Sequence, residues 1–217
     1  DNSQHPLPMT NQDLRASPLI SIFVLAIGSL WGLYWLPLRQ LEAVAQAGPW
    51  ATLAVVLVGC LVLAPFAWSG RSRLAASNRT SIVSLALGGA SFVLYSNGLL
   101  YGQVAVVILL FYLTPVWSTL IVRFWLGWPV ARARVAAIAF GLIGIVLVLQ
   151  GSHSGVPAPQ TLGDLFGLSS GLLWSIASTG IHLHSRARAG EPTFVFCAGA
   201  TVLAALLPLV LSPELPD

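Results

Sequence analysis

The residues Gly28-Ser29-Leu30-Trp31 recur almost unchanged as Gly171-Leu172-Leu173-Trp174, and this repeated stretch decides the fold. The two copies lie 143 positions apart. The same offset, without gaps, also pairs Pro49 with Pro192, Leu63 with Leu206 and Pro65 with Pro208. Five apolar segments begin within one repeat length, so the second copy must cross a membrane in the opposite direction from the first. Inverted repeats of this kind are a common architecture of alternating-access transporters.

The composition predicts a membrane protein. Of 217 residues, 56% are hydrophobic and only 8% are charged, whereas a soluble domain carries about 25% charged residues. Lipid must therefore be the solvent for most of the chain. All ten basic residues are arginines that lie between or beside the apolar segments, which is typical of membrane orientation rather than of nucleic-acid binding. We expect an all-α polytopic protein whose partner is the lipid bilayer, with no nucleic acid.

Seven segments are long and apolar enough to span a bilayer, which takes about 20 residues. They are 18–38, 50–68, 81–101, 104–126, 131–149, 162–182 and 192–211. The polar residues 1–17 precede them as a tail. A Gly/Ser/Pro-rich stretch near 150–161 predicts a division into a five-helix repeat, 18–150, and a partial second repeat of two helices, 151–217. Thr161 and Asp164 have the spacing of a capping box at the start of the sixth segment.

The arginines predict the orientation. Nine of them fall in the tail and in the loops on its side of the membrane, and only Arg39 falls on the other side. Cytoplasmic loops carry the excess of basic residues. The N-terminus is therefore predicted to be cytoplasmic, in a multi-pass protein of the cell inner membrane.

Aromatic and hydroxyl groups are the candidates for substrate contact, because no charged residue lies near the middle of any segment. The first segment carries Trp31, Tyr34 and Trp35, after Gly28 and Gly32 at helical spacing. These rings can line a cavity or form the aromatic belt of the membrane interface. The sequence supports both interpretations about equally.

The third and fourth segments add Tyr95, Asn97, Tyr112 and Pro115. An amide at membrane depth needs a partner, and for Asn97 alone an interhelical hydrogen bond is favoured over a substrate contact. Pro115 removes one backbone hydrogen bond and kinks its helix. The kink is either purely structural or exposes a carbonyl group to a cavity.

The sixth segment combines a packing face with two candidate cavity residues, Trp174 and Ser178. Small residues recur every four positions along it, which predicts close helix packing. They are Gly163, Gly167, Gly171, Ser175 and Thr179.

The ordered set of motifs resembles the EamA-type repeat of the drug/metabolite transporter superfamily. The similarity lies in the run that begins Ser91-Phe-Val-Leu-Tyr95, in Leu113-Thr-Pro115, in Gly141-Leu-Ile-Gly144 and in the Leu-Trp pairs of the repeat. It extends over nearly all of 18–217. One departure is Gly127-Trp128, where that family often has Gly-Glu.

The resemblance implies ten helices in two inverted five-helix repeats, of which this chain has about seven, as a fragment without the last three. It also implies a central substrate cavity. On this sequence the cavity would be lined by Trp31, Tyr34, Trp35, Tyr95, Tyr112, Pro115, Trp174 and Ser178, and the residue-level argument adds Asn97.

We therefore expect a secondary transporter that moves small organic metabolites, neutral or zwitterionic compounds such as amino acids, with export as one direction. We expect no catalytic residue, cofactor or metal. A non-transporting membrane scaffold or receptor is one alternative, although a scaffold does not need two matched halves. An intramembrane enzyme is the other, and it would need a nucleophile–base pair or metal ligands at matching depth. The oligomeric state is open, and a homodimer is compatible with a partial second repeat.

Overall fold

The computed structural model describes residues 18–45, 48–152, 159–184 and 190–211. Residues up to Pro37 form one compact unit and residues from Leu38 form a second, and each is described by itself. The predicted tail 1–17, most of the predicted joint between the repeats, and Arg186 and Arg188 lie outside the described residues.

The described residues form helices and no β-strand, which confirms the all-α prediction. The helices are α1 (Pro18–Leu33), α2 (Trp35–Ala45), α3 (Pro49–Ser69), α4 (Arg71–Ala75), α5 (Arg79–Tyr101), α6 (Val104–Phe111), α7 (Thr114–Leu120), α8 (Arg132–Ser152), α9 (Leu162–His184) and α10 (Gly190–Leu211). A π-helical turn, Ile121–Trp125, continues α7.

Within the described residues, five segments are long and apolar enough to cross a membrane, which makes this a multi-pass membrane protein. They are Ser21–Ala43, Pro49–Ser69, Arg79–Tyr101, Val104–Trp125 and Gly190–Leu211. The two other predicted spans form helices of 21 and 23 residues, α8 and α9, but fall outside this set. For α9 the reason is its position: it packs against α5, α6 and α7, so small and polar residues replace the apolar residues that lipid contact requires.

The directions of α6 and α9 indicate that α8 crosses the membrane. Val107 of α6 meets Gly167, and Phe111 meets Gly171 further along α9, so these two helices run parallel. Two parallel helices that both span a membrane need a return crossing between them. Of the described residues that connect them, α8 is long enough to supply it, since a 21-residue helix is about 30 Å long.

Two repeat-related helices, α3 and α10, pack against each other in opposite directions. At one end Arg73, just after α3, binds Glu191 at the start of α10. Nearer the middle, a Cβ on Gly59 would lie 3.6 Å from Cys197 Sγ, and Val56 packs with Ala200. Residue numbers decrease along α3 as the numbers of the contacting residues in α10 increase, so the two helices are antiparallel. Opposite directions are what an inverted repeat predicts for repeat-related helices.

Glycines bring the helix backbones of the second unit into direct contact. A Cβ on Gly89 of α5 would collide with the backbone of Phe196 and Ala200 in α10. Helices in lipid associate through such close packing, because lipid provides no hydrophobic drive between them. The small residues are therefore what allows these helices to assemble.

We expect the substitution Gly89→Ala to lower the stability of the protein in detergent by about 1–3 kcal/mol, the usual cost of overpacking. Gly144→Ala is the matched control, because Gly144 also lies inside a long helix but has no atom within 4 Å of the added Cβ. Thermal unfolding of both variants measures the difference. Equal melting temperatures would contradict the close contact.

An ion pair joins α4, the short helix that follows α3, to the start of α10. Arg73 Nε donates a 2.7 Å hydrogen bond to Glu191 Oε1, and its Nη2 pairs with the same oxygen. Glu191 is buried, with 4% of its surface exposed. The hydrogen bond and the negative charge of Glu191 raise the pKa of the Arg73 guanidinium. The guanidinium is thus the partner that makes a buried carboxylate tolerable.

Arg73→Ala should lower the melting temperature, because it leaves the buried Glu191 carboxylate without its partner. Adding Glu191→Gln should restore part of the loss, since an amide carries no charge to desolvate. Arg79→Ala is the control, as Arg79 is also an exposed arginine on the cytoplasmic side predicted above. If Arg73→Ala and Arg79→Ala melt at the same temperature, the ion pair does not stabilise the fold.

Candidate functional site

A break in the fourth membrane-spanning segment is the most unusual local feature of the predicted site. The helix stops at Phe111, passes through Tyr112 and Leu113, and restarts as α7 with Pro115 as its second residue. Proline has no N–H to donate to the carbonyl group four residues earlier. The kink predicted from Pro115 is confirmed, and the structure resolves it into two separate helices.

A hydroxyl group replaces the backbone hydrogen bond that Pro115 removes. Thr114 Oγ1 donates to the Phe111 carbonyl oxygen at 2.6 Å, which is the acceptor that Pro115 cannot serve. Ser175 Oγ of α9 lies 3.1 Å from the Thr114 carbonyl oxygen and 2.8 Å from the Gly171 carbonyl oxygen of its own helix, so its one proton is shared between the two acceptors. The restart of the broken segment is therefore in contact with a helix of the other sequence repeat.

Tyr112 and Pro115 line the same cavity, of about 260 Å³, between the broken segment and α8. The phenol of Tyr112 is 62% exposed. The lining is otherwise mostly apolar and includes Val116, Leu142 and Ile145. Of the predicted site residues in the second unit, these are the two that the structure brings to one cavity.

Tyr95 and Asn97 lie in the packed part of α5. The ring of Tyr95 contacts that of Phe111, directly beside the helix break, at a centroid distance of 4.9 Å and an interplanar angle of 53°. Asn97 is fully buried, and its Nδ2 donates to the Val93 carbonyl oxygen of its own helix at 2.9 Å. Its Oδ1 has no hydrogen-bond partner among the described residues. A substrate contact by either residue stays a prediction.

Trp174 and Ser178 lie on the side of α9 that faces α5 and α10. The Trp174 ring contacts Phe196 edge-on at 6.4 Å and lies beside Gly88. Ser178 Oγ donates to the Ser175 carbonyl oxygen at 3.2 Å. These contacts are intramolecular packing, and a role in substrate binding stays a prediction for both residues.

The first unit holds the remaining predicted residues. Trp31 and Tyr34 stack almost in parallel, with a centroid distance of 6.0 Å and an interplanar angle of 15°. Trp31 is 49% exposed, Tyr34 lies between the two helices, and Trp35 begins α2. Two of the three aromatic residues that the sequence groups here are thus in ring contact, and a role in substrate binding stays a prediction for all three.

Sequence reasoning did not single out Trp117 or Arg123 as site residues. Trp117 lines a cavity of about 470 Å³ together with Leu172 of α9, and its buried Nε1 has no hydrogen-bond partner among the described residues. Arg123 lines a further cavity of about 560 Å³ with Thr119. The i, i+4 spacing of Trp117, Ile121 and Trp125 places them on one helix face, and this pattern could have predicted that they line one cavity.

The predicted capping box and Arg39, the single arginine predicted for the outer side, also have defined contacts. Thr161 Oγ1 accepts from the Asp164 N–H at 3.1 Å and Asp164 Oδ2 accepts from the Thr161 N–H at 3.0 Å, which confirms the predicted box. Arg39 Nε donates to the Leu99 carbonyl oxygen and its Nη2 to that of Gly102. It caps the C-terminus of α5, where a cation is favourable.

Comparison with family models matched residues 18–150 to the EamA-like transporter family. The chain belongs to this family. Comparison with curated proteins and with solved structures gave no match. The matched range includes the aromatic first unit, α5 and the broken segment.

EamA-like proteins are membrane transporters, and the multi-pass helical architecture agrees with that membership. In this member of the family, Gly127 has a left-handed backbone with φ of 67° and is followed by Trp128. The carboxylate often found after that glycine is replaced by an indole ring. Trp128 is 53% exposed.

Removing the hydroxyl group of Thr114 tests how the break is stabilised. We expect Thr114→Val to cost about 1 kcal/mol of stability, because the Phe111 carbonyl oxygen then lacks a donor. Thr201→Val is the control, since the Cys197 carbonyl oxygen that Thr201 Oγ1 binds keeps its backbone donor within α10. Thermal unfolding distinguishes the two, and a Thr114→Val variant as stable as the control would contradict the role of this hydroxyl.

Proposed function

We propose that this EamA-like protein is a secondary transporter that moves small neutral or zwitterionic organic compounds across the cytoplasmic membrane by alternating access. The observation that carries the proposal is the broken helix α6–α7, which packs on α9 of the other sequence repeat. Discontinuous helices at the interface between inverted repeats form the substrate sites of many transporters. A predominantly apolar cavity beside the break, with the Tyr112 phenol in its lining, favours ligands without net charge.

Alternating access requires contacts that hold one side closed and can separate. The ion pair between Arg73 and Glu191 has this character, because it joins counterpart helices of the two repeats at one end. With the N-terminus on the cytoplasmic side, as the arginine distribution indicates, that end is cytoplasmic. Rocking of one repeat against the other would then open it.

The other residues that the sequence predicts for substrate contact stay candidates for the transporter. They are Trp31, Tyr34, Trp35, Tyr95, Asn97, Trp174 and Ser178. A scaffold or receptor would bind without net movement of ligand. Counterflow across a sealed bilayer separates these functions.

We expect purified full-length protein in liposomes to exchange at least one of a panel of radiolabelled neutral and zwitterionic amino acids. Tyr112→Ala should reduce the exchange at least tenfold, because it removes the exposed polar group of the cavity lining. Phe140→Ala is the control, since Phe140 is an aromatic residue of α8 that is 76% exposed.

Two results would contradict the proposal at different levels. Exchange that is unchanged in Tyr112→Ala, Trp31→Ala and Tyr95→Ala would leave a transporter but overturn the proposed site. Ligand binding to the wild-type protein without any counterflow would support the scaffold or receptor alternative.

A further inference from the structure

Two adjoining cavities form a continuous groove between the broken segment and α8, here called the α7–α8 groove. Their volumes are about 560 Å³ and 260 Å³, and they share the lining residues Val116 and Ile138. The first reaches Arg123 and Pro129 near the end of the π-helical turn. The second extends to Tyr112 at the helix break.

The groove has the length of one bilayer leaflet. From Arg123 to Tyr112 the chain rises about 16 Å at 1.5 Å per residue. Half of the hydrocarbon core of a bilayer is about 15 Å. An acyl chain that lies in the groove would thus reach from the interface to the middle of the membrane.

The groove opens sideways, towards the position of lipid. Phe124, which lines the larger cavity of the groove, is 80% exposed. Trp128 at the same end is 53% exposed. Exposed tryptophans are typical of the headgroup level of a membrane, so this end of the groove lies at the interface.

Positive charge concentrates at that end. Arg123 lines the larger cavity and Arg134 the smaller one, and neither guanidinium has a side-chain partner in the part of the chain that the structure describes. The first turn of α8 also holds Arg132 and contains no acidic residue. Since the N-terminus of a helix has a positive dipole end, this arrangement favours an anion.

Three other arginines of the described chain have partners of their own. Arg39 binds carbonyl groups, Arg73 binds Glu191 and Arg71 lies 5.1 Å from the centre of the Trp68 ring. Arg123 and Arg134 instead stand at the interfacial end of an apolar groove. Their charge is complementary to a phosphate group attached to an apolar chain.

We propose that the α7–α8 groove binds one anionic phospholipid, with its phosphate on Arg123 and Arg134 and an acyl chain along Val116 and Ile138. Thr119 lines the groove one helical turn deeper than Arg123, and its buried hydroxyl has no partner among the described residues. The lipid tail then touches Pro115, so the lipid lies against the helix break. The binding does not depend on the identity of the transported compound.

The experiment measures quenching of tryptophan fluorescence by lipids with brominated acyl chains. Purified full-length protein in detergent is titrated with brominated phosphatidylglycerol and, in parallel, with brominated phosphatidylcholine. We expect the wild-type protein to prefer phosphatidylglycerol by about tenfold or more. Each of Arg123→Gln and Arg134→Gln should reduce that preference by about fivefold, the usual effect of one basic residue on anionic lipid binding. Arg79→Gln, an exposed arginine away from the groove, should leave it unchanged.

Filling the groove tests the site of the acyl chain. Ile138→Phe should weaken quenching by both lipids without adding a tryptophan, whereas Val83→Phe, on an exposed part of α5, should not. Equal affinity for the two lipids, or a preference that survives the double arginine substitution, would overturn the proposal. Competition by millimolar inorganic phosphate would indicate a site for free anions instead, and protection of the groove by a second copy at high protein concentration would indicate a dimer interface.

Discussion

Direct backbone contact along α9 is the constraint on which the rest of the structure depends. Gly167 and Gly171 bring α9 against the carbonyl groups of Val107 and Phe111, while Ser91 of α5 donates to the Ser170 carbonyl oxygen at 2.8 Å on another side. Lipid tails compete well for large apolar side chains but cannot reproduce such contacts. α9, which packs against α5, α6 and α7, can therefore carry small and polar residues where a lipid-facing helix carries large apolar ones.

The break between α6 and α7 is tolerated because Thr114 bonds the carbonyl group that Pro115 leaves without a donor. Within a bilayer, an unpaired carbonyl group is costly unless protein or water bonds it. Thr114 Oγ1 supplies that donor from within the broken segment, and Ser175 Oγ of α9 lies within hydrogen-bond distance of both the Thr114 and the Gly171 carbonyl oxygens. Because α9 belongs to the other repeat, the proposed movement of one repeat against the other would change the environment of Tyr112 and Pro115. The proposed lipid lies against the same break and provides a second way to affect it.

Much of the fold could be predicted from sequence, since apolar length, proline positions and the small-residue stripe act locally. The bounds of α3, α9 and α10 differ from the predicted spans by two residues or fewer at each end. The first predicted span ends at residue 38, whereas α2 continues to Ala45. The additional residues are too polar to be predicted as part of a membrane span. The π-helical turn and the α7–α8 groove also could not be predicted, because they depend on how two distant helices pack. The aromatic residues were identified from their type, but their type does not distinguish Tyr112 at a cavity from Trp174 in a packed contact.

The inverted-repeat architecture requires two repeat-related helices, α3 and α10, to run antiparallel in contact within one molecule. It is tested most directly by a disulfide between Gly59→Cys and the native Cys197, in a Cys60→Ser background, since a Cβ on Gly59 lies 3.6 Å from Cys197 Sγ. A protease site inserted within 153–158 separates the two halves of the chain after oxidation. If the two helices pack in this way, the halves of the Gly59→Cys variant stay joined at monomer mass until they are reduced. Val58→Cys, at the neighbouring exposed position, gives no cross-link. Halves that separate without reduction in the Gly59→Cys variant would contradict the packing of the two repeats.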